Sequence, residues 1–128
     1  MEKNFLKACM VILLVSFLGN CAKDSSTGTY TDQADCTGID VAANTYTLAI
    51  KAILDAQCAN SGCHDALSRS EGIDLSTYAT SKSAFDTRNC LCSIHHGSGC
   101  KSMPEGGSKL SDAVIRKIDC WVKNGYKE

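Results

Sequence analysis

Cysteine is the residue that most constrains this chain, because nine cysteines occur in 128 residues. Cys9 lies in an apolar amino-terminal run, and Cys21 follows that run closely. The other seven are Cys36, Cys58, Cys63, Cys90, Cys92, Cys100 and Cys120. The 93 residues from Cys36 onward form a domain with a limited core, which often needs disulfides, a metal or a large cofactor for stability. An odd number of cysteines also leaves one thiol outside any set of internal disulfides.

Residues 1–20 have the pattern of an export signal. Lys3 and Lys7 flank the start of an apolar run, residues 8–18, which is shorter than the about 20 residues that a membrane-spanning helix needs. The run ends in Leu-Gly-Asn-Cys, which resembles a bacterial lipoprotein box and predicts lipidation at Cys21. The protein would then be an exported, membrane-anchored lipoprotein on the periplasmic side, at the outer membrane or at the cell surface. A plain secretory signal is the alternative, and either signal leads to a compartment that favours disulfides.

The composition after the signal predicts a flexible tether at residues 21–40 and one domain at residues 41–128. The tether is rich in Ser, Thr and Asp and poor in apolar residues, which is typical of flexible segments. Loss of residues 1–20 removes two lysines and one glutamate, leaving 11 basic and 13 acidic side chains and a formal net charge of −2. Because no basic stripe is present, nucleic acid is not an expected partner.

The domain is predicted to be all-α with long loops. Three segments have helical spacing: residues 44–57 with Asn44 as N-cap, a short helix from Ser76 to about Phe85, and a helix from Ser111 to about Asn124 that Gly125 ends. Residues 58–74 and 93–109 are rich in glycine and polar residues and are predicted loops. The second loop is long for a small domain, and long loops are often functional.

The segment Cys58-Ala59-Asn60-Ser61-Gly62-Cys63-His64 carries the strongest chemical signal. Covalent haem needs two thiols for thioethers and an adjacent imidazole for the iron, and its usual signature is Cys-x-x-Cys-His. Here four residues separate the cysteines, and small, turn-forming residues accommodate the wider spacing. The pattern predicts one covalent haem c, with thioethers at Cys58 and Cys63 and His64 as an axial iron ligand.

Met103 is the predicted second axial ligand. It lies 39 residues after His64, in the loop before the final helix, and Pro104 favours an extended backbone at Met103. A Met/His-ligated haem is an electron-transfer centre whose potential the thioether raises. His95 and His96 lie in the same loop and are alternative distal ligands.

With GIDLSTY at residues 72–78, SMPEGG at residues 102–107 and a final helix that contains Trp121, the motif resembles small cytochrome c-like domains of exported lipoproteins from bacteria of the Bacteroidetes group. The resemblance covers residues 45–126. It implies a class I cytochrome c fold, with helices around one haem and the thioether and axial ligands already named. The chain departs from that family at three loop cysteines, Cys90, Cys92 and Cys100.

The predicted function is single-electron transfer by a lipid-anchored c-type cytochrome, with redox proteins as partners and no small-molecule substrate. The sequence contains no paired carboxylates and no Ser-His-Asp pattern that would predict an enzyme. A weak peroxidase activity would require an open distal site. One alternative is a disulfide-stapled exported lipoprotein that binds a partner and carries no haem. Another is a zinc site built from Cys58, Cys63, His64 and either His95 or His96.

Two hypotheses concern the remaining cysteines. A Cys100–Cys120 disulfide would brace the loop that contains Met103. Cys90 and Cys92 are too close in sequence to pair comfortably with one another, so either could bond to Cys36. If Cys58 and Cys63 are bound to haem, five cysteines remain and one of them stays unpaired.

Overall fold

A computed structural model of the protein describes residues 26–128, and this part of the chain is helical without a β-strand. Its helices are α1 (Ser26–Gln33), α2 (Lys51–Gln57), α3 (Tyr78–Thr87), α4 (Cys90–Ile94) and α5 (Asp112–Lys123). A π-helical turn, Tyr46–Ile50, leads into α2, and a 3-10 turn, Ser70–Gly72, lies between α2 and α3. The all-α prediction is confirmed. No helix within residues 26–128 is long and apolar enough to cross a membrane, and the predicted signal and Cys21 lie outside the described residues.

Helix α5 provides much of the core. Its predicted N-cap is confirmed, since the Ser111 side chain accepts a hydrogen bond from the Val114 backbone N–H. The apolar face of α5 includes Ile118 and Trp121, which are fully buried. The Phe85 ring meets the Trp121 indole edge to face, with centroids 5.8 Å apart, an orientation that aromatic quadrupoles favour. The final helix therefore packs against α3 through aromatic contacts.

The two other predicted helices exist, but the N-cap of each lies one residue after the predicted one. Thr45, and not Asn44, caps the first, and the Asn44 side chain is buried with its amide donating to the Lys117 carbonyl at 3.0 Å. Thr77, and not Ser76, caps α3, and the Ser76 hydroxyl donates to Asp74 at 2.6 Å. In both cases a side chain predicted to cap a helix makes a different hydrogen bond.

Helix α4 lies partly inside the segment predicted to be a loop. It is five residues long, and Cys90, Leu91, Cys92 and Ile94 are all buried. A single helical turn is too short to show a 3.6-residue period. The prediction of a loop from residue 93 is therefore wrong for its first residues, Ser93 and Ile94.

Part of the predicted tether is helical and packed in the structure. Helix α1 lies against α4 and α5, and the Tyr30 ring stacks on His95 with centroids 4.4 Å apart. The Lys123 ammonium donates to the Ala34 carbonyl at 2.9 Å, and Cys36 forms a disulfide with α5. Contacts distant in sequence thus order a segment whose composition is typical of a flexible chain.

Two disulfides join cysteines within residues 26–128, and none of the predicted pairings occurs. Cys36 bonds to Cys120, and Cys92 bonds to Cys100. The Cys100–Cys120 and Cys36–Cys90 or Cys36–Cys92 predictions are wrong because α5 places Cys120 beside the segment that follows α1, while Cys92 and Cys100 close a short loop. Cys58, Cys63 and Cys90 are unbonded.

Candidate binding cleft

Two adjacent cavities lie beside the Cys58–His64 segment. One, of about 140 Å³, has Cys63 on its wall and is here called the Cys63 cavity. The other, of about 230 Å³, has Cys90 on its wall and is called the Cys90 cavity. The two cavities share four wall residues, which are Cys58, His64, Ile94 and Met103. We call the two cavities together the cleft.

Backbone hydrogen bonds hold His64 at the cleft. Its N–H donates to the Cys58 carbonyl at 3.1 Å, and its carbonyl accepts from the Leu75 N–H at 2.8 Å. The His64 ring is buried, and its Nδ1 lies 3.3 Å from the Ile73 carbonyl oxygen. Because a carbonyl can only accept, Nδ1 is the donor in this contact. The segment after α2 thereby fixes the orientation of the ring.

Met103 reaches the cleft from the loop that follows α4. Its N–H donates to the Ser93 carbonyl at 3.0 Å, and its own carbonyl accepts from His96 Nε2 at 3.0 Å. A disulfide joins Cys100 of this loop to Cys92 in α4, which restricts the conformations of the loop. Met103 is therefore positioned by backbone contacts at both of its peptide groups.

The thiols at the cleft differ in their surroundings. Burial raises the pKa of Cys58 to about 11, and the Cys63 thiol adds to this shift. Burial also raises the pKa of Cys90 to about 12. Cys63 is exposed. Cys58 and Cys90 are therefore neutral thiols at physiological pH, and they contribute apolar, polarisable walls.

The charged residues at the cleft are engaged elsewhere. Glu105 lines the Cys63 cavity, but its carboxylate pairs with the Lys101 ammonium at 3.0 Å. Arg88 lines the Cys90 cavity, and its guanidinium donates to the Glu71 carbonyl at 2.9 Å. Both residues are exposed. The cleft consequently has apolar walls with charges only at exposed positions.

His95 and His96 do not line the cleft. His95 Nε2 lies 2.9 and 3.0 Å from the two carboxylate oxygens of Asp119, while His96 binds the Met103 carbonyl. Burial raises the pKa of Asp119, and the His95 hydrogen bond opposes that shift. His95 and Asp119 belong to a separate, more polar cavity of about 370 Å³, which shares no wall residue with the cleft.

The structure brings together four residues selected from the sequence, but it contradicts the predicted function as a c-type cytochrome. Cys58, Cys63, His64 and Met103 all line the cleft. Across residues 26–128, however, no group of three or more His, Cys, Asp or Glu side chains could hold a metal ion. The same finding contradicts the zinc alternative. His95 and His96, which that site would need, form hydrogen bonds with Asp119 and with the Met103 carbonyl. With two disulfides present, the disulfide-stapled alternative is favoured.

No family model, curated protein or solved structure matches the chain. The resemblance to cytochrome c-like domains therefore stays a prediction. The assignment of haem c as a cofactor, and of thioether and axial roles to the four residues, also stays a prediction.

Several cleft residues could not be selected from the sequence. Phe85 and Leu75 line the Cys90 cavity, but apolar residues carry no sequence mark that separates a cavity wall from ordinary core. The sequence indicates Cys90 as a candidate for a disulfide, whereas in the structure it is a buried thiol on the cavity wall. The acceptor for the His64 ring is a backbone carbonyl, at Ile73, which sequence does not mark at all.

Proposed function

We propose that this chain is a disulfide-stapled domain of an exported protein, and that it binds a small apolar ligand in the cleft. The observation that carries the proposal is the pair of adjacent cavities whose shared walls are Cys58, His64, Ile94 and Met103. The class I cytochrome c arrangement implied by the resemblance is a finer prediction that this proposal does not require.

The size and lining of the cleft support a small ligand. Binding pockets for drug-sized molecules have volumes of about 300–1,000 Å³ and mainly apolar walls with a few placed polar groups. The Cys63 and Cys90 cavities, of about 140 and 230 Å³, together reach the lower end of that range. The occupant that fits is a molecule of one or two rings, and not a protein segment.

The disulfides support export. Disulfides persist in oxidising compartments and are rare in reducing ones, and four of the seven cysteines from Cys36 onward are paired. The predicted signal at residues 1–20 points to the same compartment. A lipid at Cys21 would place the domain at a membrane surface.

A cleft-filling variant tests ligand binding. Toluene is titrated into the protein and its binding is followed by ligand-observed NMR. Met103→Trp places a larger side chain on the wall that both cavities share, and we expect it to weaken toluene binding at least about tenfold, a loss of about 1.4 kcal/mol. Leu48→Trp is the matched control, because Leu48 is 70% exposed and lines neither cavity. Equal binding by both variants would contradict the proposal.

A second measurement separates the proposal from the earlier cytochrome interpretation. The chain is produced in a bacterial strain that has haem-attachment machinery. Our proposal predicts a protein with the mass of the unmodified polypeptide and no haem bands in the reduced-minus-oxidised spectrum. Sharp bands of a thioether-linked haem would overturn it.

A further inference from the structure

His64 offers a hydrogen-bond acceptor to a ligand in the cleft. The His64 Nδ1–H is directed at the Ile73 carbonyl, so in the neutral imidazole the lone pair lies on Nε2. Among the hydrogen bonds of residues 26–128, none involves His64 Nε2, and the ring lines both cavities. A ligand in the cleft therefore meets an acceptor that requires a donor.

The walls around this acceptor suit an aromatic ring. Met103, Cys58 and Cys90, whose side chains contain sulfur, line the Cys90 cavity together with Phe85. Thioether and thiol sulfur make favourable contacts with aromatic rings, and aromatic pairs add further stabilisation. A dry cavity of about 150 Å³ is enough to bind benzene, so the Cys90 cavity, at about 230 Å³, accommodates one substituted ring.

The buried part of the cleft wall carries no Asp, Glu, Lys or Arg that could pair with an ionic ligand. The Glu105 carboxylate is paired with Lys101, and the Arg88 guanidinium is bonded to the Glu71 carbonyl. The thiols of Cys58 and Cys90 are neutral for the reason already given. A charged group placed against the buried walls would lose its hydration without a counter-charge beside it, which is costly.

We infer that the cleft selects a neutral phenol, with the ligand hydroxyl donating to His64 Nε2 and the ring packing between Met103 and Phe85. This inference rests on the proposed function, because it names the ligand class of the same cleft. The hydroxyl is the donor that the acceptor lacks, and the ring matches the sulfur-rich apolar walls.

Three probes of similar size test the inference on the chain as exported. They are 4-methylphenol, 4-methylanisole and toluene, of which only the first carries a donor. We expect 4-methylphenol to bind at least about fivefold more tightly than either of the others, the effect of one net hydrogen bond. Binding is measured by calorimetry or ligand-observed NMR.

The histidine is tested in two ways. His64→Phe keeps a ring but removes both nitrogens, and we expect the preference for 4-methylphenol to disappear. If this variant does not fold, the ¹⁵N resonance of His64 Nε2 in the unaltered protein provides the answer. It should move on addition of 4-methylphenol and stay unchanged with toluene.

The outcomes separate this inference from the proposed function. Equal affinity for all three probes, a preference that survives in His64→Phe, or an unchanged Nε2 resonance would overturn the phenol assignment and leave the apolar ligand site intact. Failure of all three probes to bind would overturn both. Tighter binding of 4-methylphenol that depends on His64 supports both.

Discussion

The Cys36–Cys120 disulfide is expected to stabilise this domain more than the Cys92–Cys100 disulfide does. The first joins residues 84 positions apart and the second joins residues 8 positions apart. In the loop-closure treatment, the entropy removed from the unfolded chain grows with the logarithm of the loop length. It gives about 4.6 kcal/mol for the long loop and about 2.5 kcal/mol for the short one.

The comparison is well matched, because each disulfide joins one buried and one half-buried cysteine. The variants are Cys36→Ala with Cys120→Ala, and Cys92→Ala with Cys100→Ala. Because the burial of the cysteines is matched, truncation of the side chains should lower the free energy of unfolding by similar amounts in the two variants. The remaining difference of about 2 kcal/mol comes from the loop lengths.

Trp121 provides the signal for the assay, since it is the one tryptophan in the sequence and is fully buried. Unfolding in guanidinium chloride is followed by its fluorescence, and each variant also carries Cys63→Ser to remove an exposed thiol that would exchange with disulfides. Equal losses, or a larger loss for the Cys92 and Cys100 pair, would refute the loop-closure reasoning.

Three further predictions concern stability. Asp119→Ala leaves the half-buried His95 imidazole N–H without its acceptor and should lower the free energy of unfolding by about 1–3 kcal/mol. Asp112→Ala, at a side chain that is 98% exposed, should cost less than about 1 kcal/mol. Urea unfolding compares the two variants, and equal losses would count against the role of the His95–Asp119 pair. Gly97→Ala adds a Cβ that would overlap the Tyr30 hydroxyl and lie 2.8 Å from a disulfide sulfur, so it should lower stability by about 1–3 kcal/mol. Gly28→Ala adds a Cβ in open space within α1 and should raise stability by about 0.5–1 kcal/mol, so thermal unfolding should give shifts of opposite sign. Finally, the free energy of unfolding should fall as pH rises from about 9 toward about 12. Burial raises the pKa of the Cys90 thiol from its ordinary value of 9.0 to about 12, so the unfolded state binds fewer protons in that window. Urea unfolding at several pH values gives the slope of the free energy of unfolding against pH. Cys90→Ala should reduce this slope by up to about 1.4 kcal/mol per pH unit, and an unchanged slope would contradict the contribution of Cys90.

Sequence predicts this fold best where one side chain decides a local structure. Ser111 caps α5 as expected, with its hydroxyl accepting from the Val114 N–H. Asn44 and Ser76 donate to Lys117 and Asp74 instead, and these hydrogen bonds orient the two side chains away from the helix starts. Helix α4 cannot be predicted from the sequence because a single turn is too short to show a helical period. The disulfide pairing cannot be predicted because it depends on where α5 places Cys120.

The candidate site, like the fold, can be predicted from the sequence only in part. Cys58, His64 and Met103 attract attention in the sequence through their chemistry and spacing, and the structure places them on one cleft. Their chemical use does not follow from proximity alone, because no group of three metal-binding side chains forms among residues 26–128. The apolar wall at Phe85 emerges only from packing, since the same residue type would serve equally in a solid core.

The position of the Cys36–Cys120 bond has a mechanical consequence. A force applied to the chain on the amino-terminal side of Cys36 is transmitted through the disulfide to Cys120 in α5, at the centre of the core. The 83 residues between these two cysteines, which include every wall of the cleft, lie outside this covalent path. A domain held or dragged by its amino-terminal segment would thus transmit tension to its last helix while the ligand cavities remain relaxed.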